Sequence, residues 1–100
     1  MEKIKIVFKE PNKNPIEMEI DNTLEKLHEL VGGYIEVVPE NQECTILMII
    51  NEEGKLKGLE PNIASPYDTI VGNIVFVKNI GDGEFHSLTE DMIKYLLNKY

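Results

Sequence analysis

One hundred residues, 42% hydrophobic and 28% charged, suffice for one domain with a modest core, and this composition excludes a disordered segment. Ten Lys and no Arg stand against eighteen acids, and the resulting charge of −8 repels polyanions, which argues against nucleic acid and anionic membranes as partners. Without Arg there is no planar bidentate fork for phosphate, so an anion site would have to be built from backbone N–H groups, Asn, Tyr or Lys.

The amino terminus alternates charged and apolar residues from Met1 to Ile6 and has no apolar leader, and no apolar run approaches the ~20 residues of a membrane helix. A single Cys44 allows no internal disulfide and no cysteine metal cluster. The expected setting is the cytoplasm. Residues 1–100 read as one domain, an amino-terminal β-hairpin over 1–21 followed by a core over 22–100.

In chain order, Lys3 to Lys9 alternates, with Ile4, Ile6 and Phe8 on one face, as a half-buried strand does. Ile16, Met18 and Ile20 alternate with Glu17 and Glu19 in the same way. Pro11, Asn12, Asn14 and Pro15 between them are turn formers, which predicts a hairpin with Lys facing Glu across its exposed side. Asn22 followed by Glu25 predicts a helix start, Leu24, Leu27, Leu30 and Val31 supply an apolar stripe, and Gly32 and Gly33 supply the stop. His28 lies beside that stripe and reads as a boundary residue rather than a base.

Tyr34 to Val38 is rich in β-formers, and the almost unbroken apolar run from Cys44 to Ile50 predicts a central strand in which Cys44 is a buried, inert thiol. Asn51 to Gly54 reads as a turn, Lys55 to Leu59 as a short returning strand, and residues 60–71 as a long loop. Gly72 to Lys78 predicts another interior strand, and Asn79 to Gly83 a turn. A last helix begins at Thr89, with Leu88 and Ile93 spaced as a hydrophobic staple. The sum is an α+β domain, a mostly antiparallel or mixed sheet of about five strands with two helices.

Chemistry is sparse. Ser65, Ser87, Cys44, His28 and His86 sit in no nucleophile signature, and neighbours such as His86 and Ser87 point to opposite sides of an extended chain. Two His and one Cys without a ligand spacing predict no metal site, and no cofactor is implied. Gly32 and Gly33 follow a helix instead of preceding one, the wrong order for a phosphate cradle. What remains is a set of polar and aromatic residues at strand ends and in the long loop: Tyr34, Asn51, Lys55, Asn62, Tyr67 and Asn73. Tyr stacks, Asn offers donor and acceptor together, and Lys adds one positive point, a combination that suits a nucleotide-like ligand if the groups converge. The bland reading of the same residues is turn formation and rim packing.

The segments VGGYIEVV, NEEGKLKGLEPN, IVGNIVFV and DGEFHSLTEDMI resemble a domain-of-unknown-function family (DUF 3846-like) of small proteins carried by bacteriophages, plasmids and other mobile elements, over roughly residues 23–98. The resemblance implies a compact α+β fold and a mobile-element setting inside an infected or host bacterial cell. In that setting the expected function is a non-enzymatic sponge, a homodimer or higher homo-oligomer that sequesters a nucleotide-derived immune signal of the cyclic ADP-ribose type. The alternatives are an acidic inhibitor that docks a basic host defence or DNA-processing protein, and a small metal-dependent nucleotide hydrolase.

Overall fold

The computed structural model describes residues 2–64 and 68–100. β1 (Lys3–Lys9) and β2 (Ile16–Asp21) form the hairpin, followed by α1 (Leu24–Val31), β3 (Ile35–Pro39) and β4 (Ile46–Asn51). Then come β5 (Pro61–Ala64), β6 (Thr69–Val71), β7 (Ile74–Lys78) and α2 (Glu90–Lys99). The main sheet runs β2-β1-β7-β4-β3, and every neighbouring pair in it is antiparallel; β5 and β6 make a separate two-stranded ribbon.

The centre of this sheet is where the apolar runs lie, because strands covered on both faces need apolar residues at every position. On one face Ile4, Ile6, Ile20, Ile49, Val75 and Val77 pack against Leu27 and Val31 of α1. On the other, Val7, Met48, Ile74 and Phe76 pack against Ile93 and Leu96 of α2, with Leu88 ahead of that helix and Ile70 of the ribbon completing the layer. The domain is therefore a three-layer α+β sandwich with one helix on each face of the sheet.

Hairpin and helices form where the sequence places them, although β1 is half-buried only as far as Lys5: Val7 and Lys9, on the face opposite Ile4 and Ile6, are buried as well. Lys3 lies opposite Asp21 and Lys5 opposite Glu19, and the Lys3 Nζ–Asp21 Oδ1 distance is 2.9 Å. Thr89 caps α2 by accepting the Met92 N–H. Gly32 ends α1 at φ 82°, a left-handed conformation that a side chain disfavours.

Four local expectations are corrected. Thr23, not Asn22, caps α1, accepting the Lys26 N–H, while the Asn22 amide reaches Glu2 and the Phe85 carbonyl. Cys44 is exposed at φ 59° in a turn before β4, since Asn41 Oδ1 accepts the Thr45 and Ile46 N–H groups and starts the strand later. Lys55 to Leu59 coils instead of extending: Lys57 N–H donates to the Glu53 carbonyl and Leu59 N–H to the Gly54 carbonyl. Residues 60–71 are not one loop but contain β5 and β6, whose ribbon buries Ile70 on the sheet. In the third case local turn bonds win over a strand reading, and in the last tertiary contact overrides local turn chemistry. Among the described residues, no helix is long and apolar enough to cross a membrane.

Candidate functional site

The sheet is not covered evenly. α2 lies toward β1 and β7, and the ribbon reaches toward β4, leaving a cavity of about 350 Å³ over the β3–β4 end of the same face. Register explains its floor. Val38 lies opposite Met48 and Glu36 opposite Ile50, so these four side chains share one face, and all four line the cavity. Ile70 and Val71 of the ribbon form the facing wall, and Leu56, 89% exposed, stands at the rim.

The polar part comes from the turn after β4 and the start of β6. Asn51 is buried, donating from Nδ2 to the Val31 carbonyl at 3.2 Å and accepting the Glu53 N–H at 2.8 Å, so one amide closes α1 and opens the turn. Gly54 then passes so close to β6 that an added Cβ would stand 2.9 Å from Val71 Cγ2. Lys55 is thereby brought to Asp68, and the two pair across the cavity mouth. The Lys55 ammonium, and after it the Thr69 N–H, hold the Asp68 carboxyl below the usual carboxylate range. Glu36 and Glu52 also line the cavity, so its polar rim is mainly acidic.

The remaining residues singled out in the sequence go elsewhere. Asn62 donates to the carbonyls of Lys9 and Gly72 and accepts from the buried Lys9 Nζ, each within 2.9 Å, stitching the ribbon to β1. Asn73 donates to the Leu30 carbonyl and, with Asn51, lines a more open hollow of about 440 Å³ beside Gly72 and the end of α1. Tyr34 is 68% exposed and meets His28 edge to face. Tyr67 lies outside the described residues. The structure thus brings Asn51 and Lys55 together in one cavity and Asn51 and Asn73 in another; Asn62 and Tyr34 line neither. The apolar floor went unread in the sequence because it consists of alternate residues on two strands, a pattern that becomes a surface only once their register is known.

A second polar cluster escaped sequence reading entirely. The Glu40 side chain, following β3, is fully buried, and its Oε2 accepts hydrogen bonds from Tyr95 and Tyr100 hydroxyls and Lys99 Nζ at 2.7–3.0 Å. Its Oε1 has no hydrogen-bond partner among the described residues. Burial first, then the bond to Glu40, pushes the Tyr100 phenol up to about 12. Hydrogen bonds to Tyr95 and then to Glu40 raise Lys99.

Of the nucleophile candidates, Ser65 lies outside the described residues, and the others stand apart. Ser87 Oγ accepts the Lys5 N–H, and His86 Nε2 lies 2.8 Å from Asp82 Oδ2 in an exposed turn. Among the described residues no group of three or more His, Cys, Asp or Glu side chains is placed to hold a metal ion.

No curated protein and no solved structure matches this chain. A family model does match, over residues 4–100, which takes in β1 through α2 and every residue placed above in the cavity, and the chain accordingly belongs to the family described as Domain of unknown function (DUF3846).

Proposed function

We propose that this protein is a non-catalytic binder of a small molecule and that the cavity between β3, β4 and the ribbon is its site. The observation that carries the reading is a concave apolar floor, Val38, Met48, Ile50 and Ile70, bordered by a few fixed polar groups. That is the usual composition of a ligand pocket, and about 350 Å³ lies at the small end of the range for such pockets. The ligand class put forward is a nucleotide-derived immune signal of the cyclic ADP-ribose type, which a mobile-element protein would sequester against host defence. The acidic rim constrains its pose. Glu36, Glu52 and Asp68 repel phosphate, so the base and ribose enter the cavity while the phosphates stay outside it, toward Lys55.

The test is incubation of purified protein with a panel of cyclic ADP-ribose isomers and cyclic dinucleotides, followed by filtration and heat release. Intact ligand recovered only after heating is the expected result, with retention falling roughly tenfold in Val38→Trp, which fills the floor, and in Lys55→Glu. Converted ligand would replace binding by hydrolysis. An undepleted panel would remove the nucleotide and transfer the case to an acidic inhibitor of a protein partner.

A further inference from the structure

The five-stranded sheet has two outer edges, and they are guarded differently. On β2, the Asn22 N–H donates to the Glu2 carbonyl, which sets Ile16, Met18 and Ile20 as the residues bonded to β1. The outward backbone groups therefore belong to Glu17, Glu19 and Asp21, and an acid at each outward position is a common device against strand addition. On β3, the Glu52 N–H donates to the Tyr34 carbonyl and the Glu40 N–H to the Ile46 carbonyl, so Glu36 and Val38 face β4. Ile35 and Val37 direct their N–H and C=O groups outward, and Pro39 directs a carbonyl alone. Apolar side chains gather beside this edge, where Tyr34, Val37 and Leu56 are 68%, 40% and 89% exposed. No backbone partner occupies it among the described residues.

We infer that the β3 edge pairs antiparallel with β3 of a second copy of this chain, about a two-fold axis through Val37, joining two sheets and two cavities. In this register each Val37 exchanges both backbone bonds with Val37 of the other copy, and each Ile35 N–H donates to the other Pro39 carbonyl, so the missing proline N–H falls at the end of the ladder. Charge selects the register. Centring the axis on Glu36 would set two carboxylates directly opposite in a non-hydrogen-bonded pair, where side chains come closest, whereas centring it on Val37 puts each Glu36 opposite Val38. A second copy suits the edge better than an unrelated strand because this pairing is isologous and closes on itself, and the acidic β2 edge repels its own copy and the acidic rim near β3. Glu36 and Val38 line the cavity, so the second copy adds its own Val38 and Glu36 beside them, about 4.8 Å away across the strands. The pairing stands on edge geometry and does not depend on the ligand assigned to the cavity.

Analytical ultracentrifugation of the full chain across a concentration series tests it. The expected mass is twice the 11.4 kDa of one chain. Val37→Pro removes the N–H that bonds across the axis while leaving a residue that an edge strand tolerates, and it should weaken the dimer roughly 30- to 150-fold. Val37→Lys, at an exposed position, sets two like charges on the axis and should act in the same direction. Glu19→Pro makes the matching change on the β2 edge and should leave the dimer intact, with circular dichroism confirming that each variant is folded. A monomeric wild type overturns the inference, and so does a dimer that survives Val37→Pro and Val37→Lys or that dissociates with Glu19→Pro.

Discussion

Glu40 shows how much one side chain can depend on its neighbours. With one oxygen accepting from Tyr95, Lys99 and Tyr100 and the other unpartnered among the described residues, its burial is compensated on one side only. Tyr100→Phe keeps the ring stacked on Phe76 but removes a donor from this carboxylate, and urea unfolding should show a loss of about 1–3 kcal/mol. The same hydroxyl sets a pH dependence. The folded phenol ionises near 12 against an ordinary value of 10.0, so its contribution is complete below pH 10 and is lost as pH rises toward 12. Discounted for partial solvent screening, the loss amounts to about 1–2 kcal/mol and should be absent from Tyr100→Phe when both proteins are unfolded at pH 9 and pH 11.5. Gly54→Ala tests a contact instead of a charge: with Val71 Cγ2 only 2.9 Å from the added Cβ, it should cost about 1–3 kcal/mol in the same assay. The sequence marks Gly54 as a turn residue, but only the approach of β6 shows why a methyl group does not fit.

At the scale of elements, joints matter more than strands. β1, β2 and the two helices were legible because their alternation, apolar stripes and stops act over a few residues and do not need the rest of the chain, with the α1 cap alone displaced by one residue to Thr23. The ribbon was not, since Pro61, Asn62, Thr69 and Gly72 carry the composition of a loop, and what holds its two strands in place is Ile70, buried against the sheet, and Asn62, which anchors the ribbon. Asn62→Ala would leave the buried Lys9 Nζ with the Glu10 carbonyl as its remaining partner and free two carbonyls, and should cost about 2–4 kcal/mol. Hydrogen exchange should accelerate first in β5 and β6, with β1 and β7 retaining their protection, because the joint serves the ribbon more than the central strands.

Over the whole molecule the charge of −8 is a distributed load, since Lys3, Lys13, Lys26, Lys55 and Lys57 each sit beside an acid in pairs spread over the surface. Exposed pairs of this kind contribute little, and net self-repulsion is what salt relieves, so the melting temperature should rise by about 2–5 °C between 10 mM and 300 mM sodium chloride at pH 7. A fall would mean that the ion pairs outweigh the repulsion. Two helices, a sheet of about five strands and an acidic surface without Arg follow from the sequence alone, because periodicity, capping and charge are properties of neighbouring residues, whereas the wholly antiparallel pairing of that sheet is a tertiary fact. The tertiary structure decided the cavity. Asn51, Asn62 and Asn73 each spend their amides on joints between segments, Asn51 alone of the three lines the cavity, and its floor comes from Val38, Met48, Ile50 and Ile70, which strand register and ribbon docking bring together. Which amide serves a joint and which residues share a hollow are set by contacts between segments distant in the chain, and the local pattern of a sequence holds no record of those pairings.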